Sequence, residues 1–372
     1  MLALRNLLHD RVRFIVTLVG IVFSVVLSAV QLGLFLGFTR ATVDVIEQSN
    51  ADLWIVSRGV THLESGVPFS ESLRHLALGV EGVADAQAHI VSFGTWTRPD
   101  GAREGVMVVG VERDGAMGQP WNLVAGTVDD LDRPDAVIID ELYKDKLGVT
   151  HLGQLVELRD RRARVVGFTR GIRTFTTAPA VFTSLANARN YTGLRTDQAL
   201  YLLIKAKPGA DLARLSEALA HRLPDIEVRT TAGWSATQRN YWMFGTGAGI
   251  SVLIAAALGL LVGVVVVAQT IYAATVDHIR EYGTLKAMGA TNGYIYRVIV
   301  RQSAISGVIG YGFAIGIAAL VSHASQTGTT AILLPWRLAG ALFVLTIAMC
   351  ISASIVSINK VTRLDPAMVF KG

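Results

Sequence analysis

Residues 280–301 read REYGTLKAMGATNGYIYRVIVR, and the interpretation of this stretch decides the fold. It lies between two uncharged apolar runs, Asn240–Val276 and Ser303–Val321, which makes it a short polar segment at a membrane surface. The stretch reads as two helical pieces with a break between them. The first piece carries Arg280, Glu281 and Lys286. Gly289 then offers a residue that accepts φ > 0 and closes a helix at its C′ position. Thr291 is placed to cap a second piece, because its hydroxyl can satisfy an orphan N–H of the new first turn. Beyond it Ile295, Val298, Ile299 and Gln302 share one helical face, with Arg297 and Arg301 on another. That pattern belongs to a helix lying at an interface before it enters the bilayer. On spacing alone, a positively charged loop held inside by its charge fits equally well.

Working outward, Phe14–Phe38 is a run of 25 residues without a charge, preceded by Arg5, Arg11 and Arg13. At 1.5 Å per residue it spans a hydrocarbon core of about 30 Å. It is too long for the apolar region of a signal peptide, so the first span is expected to be retained. Asn240–Val276, at 37 residues, would be about 55 Å long as one helix, well beyond that core. Its outer end, with Trp234, Tyr241 and Trp242 nearby, reads as an aromatic belt with a short stalk above the membrane. The predicted organisation is a cytoplasmic start at 1–13, a first span at 14–38 and an outer domain at 39–241. A second span with its stalk follows at 242–276, then the polar segment at 277–302 and a third span at 303–321. A short outer loop at 322–337, a fourth span at 338–358 and a cytoplasmic tail at 359–372 complete it. Lys and Arg number three before the first span, four between the second and third and three after the fourth, which puts both termini and the polar segment inside.

The outer region has ordinary charge density. Asp52–Ser57 alternates like a strand, Phe69–Leu78 reads as a helix, and Ala88–Thr97 and Glu104–Val111 read as strands joined by the turn Arg-Pro-Asp-Gly. Ala136–Ile139, Gln154–Arg159 and Ala163–Phe168 are further strands, the last two a hairpin with a charged turn at Asp160–Arg162. Leu200–Ala206, Ala210–Leu223 and Ile226–Thr230 form a strand–helix–strand unit, whose partner is the one across residues 52–97. Two such units around a mostly β insert predict a split ferredoxin-like subdomain with an inserted β subdomain. The expected fold is therefore an α-helical membrane protein with four transmembrane helices and an α+β outer domain.

Composition agrees with a membrane assignment. The chain is 51% hydrophobic, with a mean hydropathy of +0.45. A net charge of +5 and the lack of basic clusters interleaved with aromatics argue against nucleic acid as a partner. The single cysteine, Cys350, excludes an intramolecular disulfide, and the eight scattered histidines suggest no metal site. No phosphate-binding Gly-x-x-x-x-Gly-Lys-Ser/Thr string, Gly-x-Ser-x-Gly elbow or His-Glu-x-x-His string occurs. The adjacent carboxylates Asp129/Asp130 and Asp140/Glu141 read as solvated or capping groups rather than catalytic ones. No catalytic residue, metal ligand or cofactor is expected in this chain. Glycine pairs four apart, Gly33/Gly37, Gly245/Gly249, Gly259/Gly263 and Gly312/Gly316, permit close helix approach in lipid. Taken singly, each fits a homodimer seam or packing within one subunit. Gln31 and Gln269, polar at membrane depth, read as interhelical hydrogen-bonding groups.

The string R-E-Y-G-x-L-K-A-M-G-A resembles the cytoplasmic signature of MacB-type ABC transporter permeases, R-x-x-E-I-G-x-x-K-A-x-G-A. Glu281, Gly283, Lys286, Ala287, Gly289 and Ala290 fit it, while Tyr282 replaces the usual aliphatic residue. The tail Arg363-Leu364-Asp365-Pro366-Ala367 resembles the end of the same permeases. Leu4-Arg5-Asn6-Leu7, Val30-Gln31-Leu32-Gly33 and Asn50-Ala51-Asp52-Leu53-Trp54 look most like the DevC branch. The resemblance implies that Arg280, Glu281, Gly283, Lys286, Gly289 and Ala290 contact a separate ATPase, present in two copies, which binds the ATP and magnesium. It further implies a homodimer in a bacterial inner membrane, a periplasmic adaptor of the membrane-fusion type, and export of a lipid, glycolipid or amphipathic peptide. An FtsX-like mechanotransmitter that switches a cell-wall hydrolase, and a lipoprotein-releasing permease, share the same architecture.

Overall fold

The computed structural model describes residues 11–174, 178–277, 284 and 288–362. α1 (Arg11–Ala41) comes first, followed by β1 (Leu53–Ser57), α2 (Leu73–Leu78) and β2 (Val83–Thr97). β3 (Arg103–Val111), β4 (Leu123–Ala125), β5 (Ala136–Asp140), β6 (Leu155–Leu158), β7 (Arg161–Thr169), β8 (Ala180–Ser184) and α3 (Leu185–Thr192) follow. Next are β9 (Tyr201–Ala206), α4 (Leu212–Arg222), β10 (Ile226–Thr230) and α5 (Thr231–Asn240). The long helices α6 (Gly247–Asp277), α7 (Asn292–Ser325) and α8 (Trp336–Thr362) come after these. The chain divides into a membrane unit, residues 1–37, 251–326 and 331–372, and an outer unit, residues 38–250 with 327–330.

In the outer unit, ten strands form one sheet in the order β10-β1-β9-β2-β3-β8-β5-β7-β4, with β6 pairing β2 and β7. The first four, all antiparallel, are the strands of the two strand–helix–strand units in the ferredoxin-like order 4-1-3-2. β1 is central and all five of its residues are buried. α4 turns Leu215 and Leu219 inward and starts on an Asp211 cap, whose carboxylate accepts from Ala213 N at 2.9 Å. β2 belongs to both halves of the sheet: Val83–His89 pair with β9, and Ile90–Thr97 pair with β3. The mostly β insert thus grows out of a continuous strand. The Arg98–Gly101 turn closes through Gly101 N to Arg98 O at 2.9 Å, with Gly101 at φ +85°. The β6–β7 hairpin is tighter than the sequence suggested: Leu158 pairs with Arg161, leaving a two-residue turn of Arg159 and Asp160 at φ +51° and +58°. Positive φ at both positions is the signature of a type I′ turn.

Differences from the sequence reading are local. Phe69–Leu78 begins as a two-residue strand, Phe69–Ser70, and is helical only from Leu73. β4, β8 and α3 were not expected. β8 is central in the insert, parallel to β3 and antiparallel to β5, so its burial comes from distant strands and not from local alternation. Asn240–Val276 is not one helix. After α5 the chain makes a π-helical turn, Tyr241–Gly245, and Thr246 is extended at φ −118°, ψ 155° before α6 starts. The glycines at 245, 247 and 249 make that break cheap.

In the membrane unit, α1, α6, α7 and α8 are each long and apolar enough to cross a membrane. Their shared core is Ile21 and Val25 of α1, Val267 and Ile271 of α6, Ala314 of α7, and Met349 and Cys350 of α8. Small residues set the spacing. A Cβ on Gly20 would lie 2.6 Å from Thr270 Oγ1, one on Gly310 2.7 Å from Ile21, and one on Gly307 3.1 Å from Cys350 Sγ. Tyr311 donates to Ala339 O at 2.7 Å, joining α7 to α8. With little hydrophobic drive between helices in lipid, such close packing and hydrogen bonds hold the bundle.

Candidate functional site

Of the expected ATPase-contacting residues, Arg280, Glu281, Gly283 and Lys286 lie outside the described residues, as do the Leu4–Leu7 and Arg363–Ala367 strings. The described remainder shows how the segment ends. Met288 N donates to Thr284 O at 3.0 Å, and Gly289 follows at φ +92°. A glycine there satisfies the backbone without the Cβ penalty that other residues pay in this region. Ala290 leads to Thr291, whose side chain accepts from Tyr294 N at 3.3 Å and caps α7. Met288 is 72% exposed, and a Cβ at Gly289 would meet nothing within 4 Å, so this corner is open.

From that cap α7 runs unbroken for 34 residues, about 51 Å. Ile295 and Ile299 are buried, with Ser303 and Ser306 continuing the same face, whereas Arg297 and Arg301 are exposed. The polar second piece and the third span are therefore one continuous helix.

The glycine pairs separate by environment. A Cβ on Gly259 would lie 2.7 Å from Gln31 Cγ, and one on Gly263 2.9 Å from Ser28 Oγ, so this pair joins α6 to α1. Gly33 and Gly37 do not face another helix. The connection before α8 lies on them, with Leu333 N donating to Gly33 O at 3.1 Å and a Gly37 Cβ only 1.9 Å from Ala331 O. Gly312 and Gly316 face open space, beside exposed Phe313 and Leu320. Between α1 and α7 an apolar groove of about 430 Å³ is lined by Ile15, Leu18, Val22, Phe23, Phe313 and Ile317. Gln31 packs its stem on Gly259 and Gln269 is exposed; among the described residues neither amide bonds another helix, contrary to the hydrogen-bonding role expected.

The outer-unit carboxylates act as caps. Asp130 accepts from Thr127 N and Oγ1, both at 2.9 Å. Asp140 is buried and accepts from Leu142 N, Thr169 Oγ1 and Ile172 N at 3.0, 3.0 and 2.7 Å. A polar cleft of about 430 Å³ at Asp135, Arg161, Arg162 and Tyr191 is neutralised in part by Asp135, which pairs with Arg162 and Arg164. The aromatic belt expected around residues 234–242 takes another form. Trp234 is fully buried under the Arg229 guanidinium, 4.6 Å from its ring, Tyr241 stacks on His62 at 4.0 Å, and Trp242 donates its indole N–H to Glu64 at 3.3 Å. Tyr241 and Trp242 meet protein partners because the π-helical turn sets them against the His62–Ser65 loop. Sequence reasoning missed Glu64 and Gln238, which sit far apart in sequence with no motif to join them.

Two family descriptions cover the chain almost end to end. Residues 14–222 match the MacB-like periplasmic core domain, and residues 225–366 match the FtsX-like permease C-terminal region. The chain is 22% identical over 393 residues to the macrolide export ATP-binding/permease protein MacB of Escherichia coli, covering 99% of this chain and 59% of that protein. It thus spans well under two thirds of that relative's length. An uncharacterized ABC transporter permease of Mycobacterium tuberculosis is 24% identical over 382 residues, 100% of this chain and 99% of its own length. Among solved structures, the periplasmic region of MacB from Actinobacillus actinomycetemcomitans is similar at 15% identity and a TM-score of 0.39, covering 54% of this chain and 98% of that one. The extracellular domain of the transporter YknZ is similar at 17% identity and a TM-score of 0.37, covering 48% and 98%. With four membrane-crossing helices, an α+β outer unit and both family descriptions matched in sequence, the chain belongs to the MacB/FtsX-like family of ABC transporter permeases.

Proposed function

We propose that this chain is the membrane subunit through which a separate ATPase, in two copies, drives shape changes of the outer unit. The observation that carries the reading is the corner at Gly289–Thr291, which joins the signature string to the unbroken rod of α7. Arg280, Glu281, Gly283, Lys286, Gly289 and Ala290 are the proposed contact. ATPase states that differ in contact free energy with the segment bias the permease between two shapes, and without that difference nothing moves. The charge count supports a cytoplasmic side for the termini and this segment, and the proposed membrane is a bacterial inner membrane. A homodimer is supported by Gly312 and Gly316, the glycine pair left open on α7. The cargo class is a lipid, glycolipid or amphipathic peptide, taken from the outer leaflet or periplasm and passed to an adaptor of the membrane-fusion type.

The test is reconstitution with the cognate ATPase. Replacing Arg280, Glu281 and Lys286 together by alanine is expected to leave expression and insertion normal and to abolish ATPase pull-down or substrate-stimulated hydrolysis. Each charge-assisted contact contributes about 1–3 kcal/mol. Wild-type binding and stimulation by the triple variant would reduce the segment to a topological anchor and overturn the proposal.

A further inference from the structure

Between α5 and α6 the helical hydrogen-bond ladder is interrupted, because Thr246 is extended and the π-helical turn Tyr241–Gly245 precedes it. A break of this kind bends unless side chains hold it. Here the holding group comes from the loop Leu63–Ser65. The Glu64 carboxylate accepts from Gln238 Nε2 at 3.2 and 3.3 Å and from the Trp242 indole N–H at 3.3 Å. Gln238 is itself oriented, because its Oε1 accepts from Leu63 N at 2.7 Å and its amide N–H group must therefore face Glu64. On the far side, Tyr201 of β9 donates to Leu63 O at 2.6 Å. Beyond the turn, Thr246 Oγ1 donates to Trp242 O at 2.9 Å. A chain of hydrogen bonds therefore runs from the centre of the sheet through Leu63 and Glu64 to the residue before α6. The fit is tight, since a Cβ on Gly249 would lie 2.3 Å from Met243 Cα.

We propose that Glu64 is the positioning residue of this joint, holding the turn Tyr241–Gly245 in register with the Leu63–Ser65 loop so that movement along α6 reaches the sheet and is not absorbed at Thr246. The inference rests on the proposed ATP-driven movement of the spans. The groups facing Glu64 offer it no cation among the described residues. Arg239 pairs with Glu47 at 3.4 Å, Arg229 with Glu227 at 2.6 Å, and His62 stacks on Tyr241. Burial pushes the Glu64 carboxyl above the usual carboxylate range, against the opposing pull of Gln238 and Trp242, and burial lowers His62. A closed joint thus favours protonated Glu64, and as pH rises through its raised value the ionised form weakens the closed state.

The experiment measures hydrogen exchange of the full chain in lipid nanodiscs, over peptides covering residues 241–250 and, as reference, 201–206. Glu64→Ala and Trp242→Phe are each expected to speed joint exchange about tenfold, with the reference unchanged and the double variant no faster than either single one. In a His62→Phe background, which keeps a ring on Tyr241 and removes the other titrating group, joint opening corrected for intrinsic exchange should rise with pH. Adding Glu64→Gln should flatten that rise. Unchanged joint exchange in Glu64→Ala, equal loosening of the reference, additive effects in the double variant, or a pH profile indifferent to Glu64→Gln overturns the proposal. With the ATPase bound, ATP should alter exchange at 201–206 in the wild type and not in Glu64→Ala. Equal ATP responses in the two sink the inference, whereas no response in the wild type sinks the ATP-driven reading instead, whatever the isolated chain shows.

Discussion

His89 shows how much one side chain can reveal of the outer unit. It is 1% exposed, edge-on to Trp54 with ring centroids 5.7 Å apart, and a Cβ on Gly118 would press 2.8 Å from its ring. Burial pushes the imidazole down to about 4, against a smaller upward pull from the Gly110 backbone. A depressed histidine contributes stability that is complete above its unfolded value near 6.5 and is lost as pH falls toward the folded value. The outer unit is therefore expected to lose up to about 3 kcal/mol between pH 6.5 and 4 through this residue, and His89→Leu should remove that part of the slope in thermal melts taken across this range. The glycines make a second prediction at this scale. Gly37→Ala drives a methyl group into the Ala331 carbonyl and should cost about 1–3 kcal/mol, whereas Gly316→Ala meets open space and should leave thermal stability of the solubilised monomer within about 0.5 kcal/mol. Nothing in the sequence separates these two glycines. Both stand in Gly-x-x-x-Gly, and only the fold shows that a loop covers one of them.

Elements were legible where the signal is local. β10 has the bounds the sequence assigned to it, and α4 differs by two residues at its start and one at its end, because alternation and an Asp cap are written into consecutive residues. The corner at Gly289 and Thr291 was legible for the same reason, as a C′ glycine followed by a hydroxyl cap. β8 and α3 were not, since AVFTS is a short apolar run whose strand character is decided by β3 and β5 on either side. The Ser184 cap, which accepts from Asn187 N, was the local clue that a helix follows it. The β6–β7 turn is open to test. Asp160 adopts φ +58° without being glycine, so Asp160→Gly should relieve backbone strain and leave the outer unit unchanged or stabilised by up to about 1 kcal/mol, read in urea unfolding. Arg159 should not be exchanged with it, because its guanidinium donates to Tyr191 O at 3.4 Å.

At the scale of the molecule, charge and hydropathy carried the architecture, and the arginine and lysine count is the basis of the proposed orientation. That orientation predicts that Asp100→Cys, in a Cys350→Ala background, reacts with an impermeant thiol reagent added to intact cells and that Thr284→Cys does not. Labelling of Thr284→Cys would reverse the assignment of sides. The joint at Glu64 was invisible at this scale because its members come from residues 62–65 and 238–246, which pattern reading treats separately. β2 has a consequence for anyone building hybrids of such permeases. Because Val83–His89 hydrogen-bond to β9 while Ile90–Thr97 hydrogen-bond to β3, no cut at the edge of the insert spares the strand. A transplanted insert inherits the phase of its host's β2, and a graft that adds or drops one residue there exchanges the two faces of the donor half, so that side chains fitted to one buried layer of Val106–Val111 or Ala136–Asp140 must pack in the other. Insert and ferredoxin-like half are therefore heritable as a pair, and exchange between relatives should succeed at the Arg98–Gly101 turn or at the ends of the outer unit before it succeeds at the apparent boundary between them.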